Sequence, residues 1–321
     1  MNVGDFPTFD TVVPDGGYQW WYVDATSADH RHHLVMIAFV GSVFSPHYFR
    51  ALRGDAAQAE RFCAFNLGVY SKGKKRWVLT EYDQARIHRD ATTFKMGANR
   101  LTFDGNSLHI EVCDRAVPVP HSVTGRITVT PICRTDAPLS LEDGGHQNWW
   151  PFAPSARVDV ALTSPSLRWQ GKGYFDTNYG AVPLQNSFSE WHWSRQHIGK
   201  ATRIAYNTTH KSGPGPSLAL IIHKDGRVEH AEPLDQHELP RGLWQMRRPI
   251  AAAETPTLVE TLEDTPFYTR SIVATPECAN ALAMHESLSL DRFVQPWVQR
   301  LLPFRTRRRA SRAPHPAHRS G

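Results

Sequence analysis

The stretch Gly171-Lys-Gly-Tyr-Phe-Asp-Thr-Asn-Tyr-Gly180 stands between two other aromatic segments, His146-Gln-Asn-Trp-Trp-Pro-Phe-Ala-Pro154 and Trp191-His-Trp-Ser-Arg195. Together with Trp169, these segments hold five of the ten tryptophans of the chain, two histidines and one carboxylate, Asp176. A single carboxyl group among so many aromatic side chains indicates an apolar pocket that contains a proton donor.

Alternation along an extended chain would place Asp176 and Tyr174 on one face of a strand and Phe175 on the other. A carboxyl group beside phenol and indole rings loses hydration, which raises its pKa by up to about 3 to 5 units from a reference near 3.9. Asp176 is therefore a candidate for an acid that is protonated at neutral pH. The alternative is that Asp176 caps a turn, because Asp and Asn both favour turns.

The same alternation places Trp191 and Trp193 on one face of a strand, with His192 opposite. Trp20 and Trp21 are adjacent, so only one of them can face a given cavity. Both are also typical of core aromatic residues, which need no catalytic role.

The apolar residues recur with a period of two or in short runs, and turn residues follow about every dozen positions, which predicts an all-β fold with little helix. Asp-Gly pairs at 104–105 and 225–226 indicate hairpins. A boundary is expected in the loop 181–188, which separates two domains, each a small barrel or sandwich, at 1–182 and 183–300. The expected strands are 18–26, 34–43, 63–71, 75–83, 100–103, 107–113, 125–131, 156–163, 167–171, 189–195, 202–207, 217–223, 227–231, 257–263 and 268–273.

The chain has 321 residues, 40% of them hydrophobic, which is enough to bury a large core. Its amino terminus has no pattern of a secretion signal, no run of 18 apolar residues occurs, and the four cysteines lie far apart. We expect reduced thiols in a cytoplasmic compartment. No phosphate loop, dinucleotide fingerprint, HExxH or GxSxG motif is present, so no cofactor and no metal are expected.

The net charge of +5 is concentrated at the carboxyl end. Residues 300–321 contain seven arginines and no acidic residue, so residues 1–299 carry a formal charge of −2. The body has no recognisable nucleic-acid-binding motif, and no nucleic-acid partner is expected. Residues 301–321 are expected to form a basic, disordered tail.

The segment just before this tail, residues 290–304, is apolar, contains Trp297 and is flanked by arginines. Anionic lipid attracts each basic residue by about 1 kcal/mol, and Trp and Phe side chains anchor at the headgroup level. The pattern favours peripheral contact with a membrane. The alternative is a last helix packed on the core and followed by a solvated tail.

Long motifs between residues 15 and 195 resemble those of the carotenoid 1,2-hydratases, also called hydroxyneurosporene synthases. The motifs are Gly16-Gly-Tyr-Gln-Trp-Trp-Tyr-Val-Asp24, Ile37-Ala-Phe-Val-Gly-Ser-Val-Phe-Ser-Pro46, Trp149-Trp-Pro-Phe-Ala-Pro-Ser-Ala-Arg-Val158, residues 173–180 and residues 191–195. The resemblance implies two lipocalin-like domains of the AttH-like superfamily. It also implies hydration of the terminal 1,2 double bond of an acyclic carotene, such as neurosporene or lycopene, without a cofactor.

The resemblance further implies a location on the cytoplasmic side of an inner or photosynthetic membrane in a pigmented bacterium. In the implied reaction a proton is delivered to the alkene, and water captures the resulting tertiary cation. As a hypothesis, Asp176 donates the proton and Tyr174 positions it. Trp149, with Trp191 or Trp193, offers an aromatic face to the cation, which stabilises it by about 0.5 to 2 kcal/mol per ring.

A histidine would orient or deprotonate the water. The resemblance suggests His146, and His192 is the substitute if His146 does not reach the site. Trp20 or Trp21 would form part of the pocket wall. Two other functions remain open: a carotenoid or lipid carrier, and an isomerase or cyclase of polyenes or terpenoids.

Overall fold

The computed structural model of the chain describes residues 6–54, 57–278 and 281–309. Most of these residues form β-strands, which confirms the all-β prediction. In chain order the strands are β1 (Tyr18–Ser27), β2 (His32–Val40), β3 (Cys63–Ser71), β4 (Lys74–Tyr82), β5 (Ile87–Arg89), β6 (Thr93–Met96), β7 (Asn99–Phe103), β8 (Leu108–Arg115), β9 (Ser122–Pro131), β10 (Leu139–Ser140), β11 (Gln147–Ser164), β12 (Leu167–Gly180), β13 (Phe188–Ile198), β14 (Ala201–His210), β15 (Gly213–His223), β16 (Val228–His230), β17 (Gln236–Glu238), β18 (Pro249–Ala251), β19 (Thr257–Asp264), β20 (Tyr268–Ala274), β21 (Leu282–Ser289) and β22 (Arg307–Arg309).

Helices are few and short, as expected from the scarcity of helical periodicity. The α-helices are α1 (Pro46–Ala51), α2 (Leu184–Ser187), α3 (Leu290–Phe293) and α4 (Pro296–Leu301), and short 3-10 helices occupy Ala59–Phe62, Gln84–Arg86, Pro276–Cys278 and Leu302–Phe304. Among the residues that the structure describes, no helix has both the length and the apolar character needed to cross a bilayer.

The strands form two large sheets. The first has the order β22-β4-β3-β2-β1-β12-β11-β9-β8-β7-β6-β5, with β10 paired to β11, and it curls so that β3 meets β6 and β4 meets β8. The second has the order β16-β15-β14-β13-β21-β20-β19, and β17 pairs with β18 separately. The chain passes from the first sheet to the second between Gly180 and Phe188, within the segment where the sequence analysis places a domain boundary.

Strand β1 is buried on both faces because two cores meet along it. Trp21 and Val23 point into the curl of the first sheet. Trp20 and Tyr22 point into a second core that lies between the two sheets, where they meet side chains of β13, β14, β20 and β21. The period of two therefore divides the Trp-Trp pair between two cores, as alternation requires.

Strand β12 carries Asp176 at mid-strand, paired with β1 on one side and β11 on the other. Its glycines permit this close packing: a Cβ on Gly171 would lie 2.0 Å from the carbonyl oxygen of Thr26, and a Cβ on Gly173 would lie 2.6 Å from that of Asp24. Because the strand continues to Gly180, Asp176 does not cap a turn. The turn interpretation is wrong.

Residues 301–309, which the sequence analysis assigns to a disordered tail, are ordered. Residues 302–304 form a 3-10 helix, and Arg307–Arg309 add a parallel strand to the edge of β4. Acidic side chains of the body hold these arginines: Asp114 pairs with Arg307 at 3.1 Å and with Arg309 at 3.3 Å. Ion pairing with buried carboxylates therefore orders part of the basic segment, and residues 310–321 lie outside the described residues.

Candidate active site

Asp176 is the centre of the site, and its two carboxyl oxygens have different surroundings. Oδ2 accepts hydrogen bonds from the hydroxyl of Tyr174 at 2.7 Å and from Nε1 of Trp149 at 2.8 Å. Oδ1 is buried and has no hydrogen-bond partner among the described residues. Asp176 is only 4% exposed, so its carboxyl group is sheltered from bulk water.

The pKa of Asp176 is raised to about 8, and burial is the main cause. The hydrogen bonds from Tyr174 and Trp149 act in the opposite direction, since they favour the charged form, but loss of hydration outweighs them. The negative charges of Glu286 and Asp24 raise the pKa further. Asp176 is therefore mainly protonated at pH 7.

Strand geometry explains why these groups meet. Tyr174 and Asp176 alternate with Phe175 along β12, so the first two face the core between the sheets and Phe175 faces the curl of the first sheet. Trp149 lies on the neighbouring strand β11, opposite Asn178, and reaches Oδ2 diagonally across the pair. The predicted grouping of Tyr174, Asp176 and Trp149 is present.

A small chamber of about 30 Å³, roughly the volume of one water molecule, lies in front of Asp176. The tryptophans Trp20, Trp191 and Trp193 line it. Trp191 and Trp193 therefore lie on the same face of β13, as strand alternation predicted. The remaining lining residues are Tyr22, Asn178, Tyr206 and Glu286. The chamber is thus a mainly aromatic space that contains two carboxyl groups.

A larger cavity of about 120 Å³ is lined by four residues that also line the chamber, Trp20, Tyr22, Trp191 and Glu286. Its walls are mostly apolar and aromatic, and they include Ile37, Phe39, Phe44, Trp77, Leu79 and Phe267. At its outer end lie the 3-10 helix after α4 and the residues on either side of it, including Leu301, Leu302 and Arg305. Leu301 is exposed, so this end of the cavity, called the channel below, lies at the protein surface, and the shared residues place its other end beside the chamber.

Glu286 stands in the chamber as a partner of Arg270. Nε of Arg270 donates to Oε1 of Glu286 at 2.7 Å, and the hydroxyl of Tyr22 donates to the same oxygen at 2.8 Å. Arg270 is 1% exposed and also donates to the hydroxyl of Tyr70 at 3.0 Å. This network links β1 and β3 of the first sheet to β20 and β21 of the second.

Asp24 and Arg195 form a second ion pair between the sheets. Nε of Arg195 donates to Oδ1 of Asp24 at 3.1 Å and to Oδ2 at 3.2 Å, and both side chains are almost completely buried. Burial raises the pKa of Asp24, while the guanidinium of Arg195 opposes that shift. Both residues belong to motifs noted in the sequence, but sequence alone did not pair them.

Neither predicted histidine reaches the chamber, which corrects the sequence analysis. His146 lies at the start of β11 with an exposed side chain, because the alternation that buries Gln147 and Trp149 begins only at the next residue. His192 points to the opposite face of β13 from Trp191 and Trp193, where its Nδ1 lies 2.9 Å from the hydroxyl of Ser287.

Trp21 is also outside the site. It packs in the first core, where its Nε1 donates to the carbonyl oxygen of Pro7 at 2.7 Å. Gln147 fills a structural position: it accepts from the hydroxyl of Tyr18 at 2.5 Å and donates to Ser187 at 3.0 Å.

Comparison with known proteins identifies the family of this chain. The sequence profile of the carotenoid hydratase CrtC family matches residues 36–315. The chain belongs to this family. An acyclic carotenoid 1,2-hydratase of Thiocapsa roseopersicina is 43% identical over 303 residues, which cover 93% of this chain and 75% of that protein. One from Rubrivivax gelatinosus is 41% identical over 310 residues, which cover 95% and 76%.

A solved structure supports the fold. The crystal structure of a putative AttH from Nitrosomonas europaea matches with a TM-score of 0.59 at 12% identity, and the match covers 85% of this chain and 92% of that one. The fold of this hydratase is therefore that of the AttH-like, lipocalin-like proteins. Its activity is that of an acyclic carotenoid 1,2-hydratase, a hydro-lyase that adds water to a carbon–carbon double bond.

Proposed function

We propose that this enzyme hydrates the terminal 1,2 double bond of acyclic carotenes such as neurosporene and lycopene by acid catalysis, with no cofactor. The observation that carries the proposal is the state of Asp176: a buried carboxyl group with a pKa of about 8, engaged by the protein through Oδ2 alone. Oδ1 carries the proton and offers it to the alkene.

In the first step the Oδ1 proton moves to C2 of the substrate, the less substituted alkene carbon. The π electrons form the new C–H bond, and C1 becomes a tertiary carbocation. Tyr174 and Trp149 already donate to Oδ2, so they stabilise the carboxylate as its charge develops. These donors lower the barrier without any rearrangement of the site.

The cation forms in a space lined by Trp20, Trp191 and Trp193. Indole faces attract a cation by about 0.5 to 2 kcal/mol each. They also expose no nucleophile that could trap it. The aromatic walls therefore protect the cation until water adds at C1 and leaves a tertiary alcohol.

The apolar channel suits one end of a long polyene, because it buries carbon surface as far as the chamber. Beside its outer end, exposed Trp297, Leu301 and Phe304 form an apolar patch, with Arg300 exposed on the same helix. We propose that this patch rests on the cytoplasmic side of the membrane as a peripheral contact. The carotene would then pass from the bilayer into the channel.

The test is hydration by purified protein, with lycopene in liposomes, heavy water as solvent, and EDTA-treated buffer without added cofactor. We expect product that carries one deuterium on the carbon next to the new tertiary alcohol. Carotene recovered unchanged would contradict the proposal in favour of a carrier. Product of unchanged hydrogen and oxygen content would contradict it in favour of an isomerase or cyclase.

A further inference from the structure

Hydration needs a proton acceptor as well as a donor, because the water that adds to the cation must lose a proton. The sequence suggested a histidine for this role, but His146 is exposed and His192 lies on the far face of β13. Among the described residues that line the chamber, the side chain with a carboxylate besides Asp176 is Glu286.

Glu286 occupies a position that faces the reacting carbon from the second sheet. It lies on β21 directly opposite Trp193 of β13, and Tyr22, which donates to it, lies directly opposite Asp176 in the first sheet. The two carboxyl groups therefore belong to different sheets and meet across the same chamber.

The two carboxyl groups have different surroundings, which indicate that one acts as an acid and the other as a base. Asp176 receives hydrogen bonds from neutral donors alone, a phenol and an indole. Glu286 forms an ion pair with the guanidinium of Arg270. Pairs of acidic groups with such different neighbours are typical of acid and base assignments in enzymes.

The contacts of Glu286 also leave room for water. Both hydrogen bonds that it accepts from Arg270 and Tyr22 reach Oε1. Oε2 accepts neither of these two hydrogen bonds. The hydroxyl of Tyr268 also lies close to Glu286, but a carboxylate oxygen has more than one acceptor position, so Oε2 can still hold a water molecule in the chamber. A carboxylate there also stabilises a nearby cation.

We propose that Glu286 is the base of the second half-reaction, an inference that rests on the acid mechanism proposed above. Water held by Oε2 attacks C1, and its lone pair forms the new C–O bond. The protonated alcohol then passes one proton to Glu286, and the tertiary alcohol leaves. A protonated alcohol is a strong acid, so an ion-paired carboxylate is basic enough to accept its proton.

After this step Glu286 is protonated and Asp176 is a carboxylate. Once the product has left, a water molecule that enters the chamber carries the proton from Glu286 back to Asp176, and the site is reset. The balance is one water added to one double bond, with no oxidant or reductant.

The experiment compares two rates in heavy water for the wild type and for Glu286→Gln: formation of hydrated carotene, and deuterium appearing in carotene recovered without hydration. The amide keeps the size of the side chain and its acceptor oxygen for Arg270. Because Asp176 still protonates the alkene, the cation still forms in the variant, but capture by water stalls. It then loses a proton and returns to carotene that carries deuterium.

We expect Glu286→Gln to lower hydration by about 100-fold or more while deuterium exchange into recovered carotene continues. Asp176→Asn should lose both processes, so failure of the acid assignment is seen separately from failure of the base assignment. The matched control is Asp114→Asn. Asp114 is a buried carboxylate that accepts from Tyr82 and pairs with Arg307, and it lines neither the chamber nor the channel. It should keep the wild-type ratio of exchange to hydration.

Two results would overturn the proposal: hydration by Glu286→Gln within threefold of the wild type, or loss of exchange together with hydration. If circular dichroism shows that Glu286→Gln is unfolded, Glu286→Asp takes its place. Shortening the side chain by one methylene withdraws the base from C1, so the ratio of exchange to hydration should rise at least tenfold. An unchanged ratio in that variant would equally refute the role of Glu286.

Discussion

The hydroxyl of Tyr174 donates to Oδ2 of Asp176 at 2.7 Å, on the same face of one strand. This relationship has two effects. It leaves Oδ1 without a hydrogen-bond partner among the described residues, as the proposed proton transfer requires, and it keeps the pKa of Asp176 below the value that burial alone would produce. Position and acidity of the proposed donor therefore depend on the same side chain.

The pH dependence of hydration should report the state of Asp176. Its protonated form is required, so the rate should fall as pH rises through about 8. Tyr174→Phe removes a hydrogen-bond donor that favours the charged carboxylate, so the pH at which the rate falls should rise by about one unit. Rates measured on lycopene liposomes between pH 6 and 10 test both statements. Tyr82→Phe, which removes a buried donor to Asp114 in the first core, is the control and should not change the pH at which the rate falls.

The effect of Asp176 on stability should depend on pH, and its raised pKa fixes the direction. The pKa of Asp176 is about 8 in the folded state and near 3.9 in an unfolded chain, so the folded state binds more protons between these values. The contribution of Asp176 to the free energy of unfolding of the wild type therefore falls as pH rises from about 4 to 8, by at most about 1.4 kcal/mol per pH unit. Asp176→Asn does not titrate, so its stability relative to the wild type should rise over this range.

Thermal unfolding of both proteins at pH 5, 7 and 9 measures this difference. Asp159→Asn, which changes a solvent-accessible carboxyl on β11, is the control, and its difference from the wild type should stay constant. A constant difference for Asp176→Asn as well would show that Asp176 is ionised in the folded protein.

The buried ion pair of Asp24 and Arg195 should be sensitive to removal of either partner. Arg195→Met leaves an unpaired buried carboxylate and should lower the free energy of unfolding by about 3 to 5 kcal/mol. The double variant Asp24→Asn with Arg195→Met should recover part of this loss. Urea unfolding measures each value.

The control for this pair is Arg126→Met, which breaks an exposed pair with Glu111 and should cost at most about 1 kcal/mol. Equal effects of Arg195→Met and Arg126→Met would mean that the buried pair contributes little to the contact between the sheets.

Membrane contact should depend on the patch beside the channel. Replacing Trp297, Leu301 and Phe304 by Ser should lower binding to anionic liposomes at least tenfold in a flotation assay, because the apolar anchors are lost. Val12→Ser with Val119→Ser changes exposed apolar residues that are not part of the patch and should keep wild-type binding. Undiminished binding by the triple variant would place the contact elsewhere.

Local pattern predicted the parts of the site that lie on one strand. Alternation was enough to place Tyr174 with Asp176, and Trp191 with Trp193, because a strand has one period and two faces. Desolvation by neighbouring rings was enough to predict the raised pKa of Asp176. The exposed position of His146 depended on where β11 begins, and strand ends are not fixed by periodicity.

Glu286 could not be predicted, because its role comes from pairing between distant strands. Strand β21 was not expected at all: both of its faces are buried, yet Leu282–Ser289 contains several polar residues whose partners lie on other strands. The ordered structure of residues 302–309 was not predicted, for a related reason. Arg307 and Arg309 are held by Asp114, which is nearly 200 positions earlier in the chain.

The most direct test of the acid mechanism is the hydration rate of Asp176→Asn against the wild type, on lycopene liposomes at pH 7, with Asp159→Asn as the control. The amide preserves the shape and burial of the side chain but has no proton acidic enough to transfer. We predict a loss of about 100-fold to 10,000-fold with native circular dichroism, while Asp159→Asn keeps its rate. A folded Asp176→Asn protein that hydrates lycopene within threefold of the wild-type rate would contradict the account.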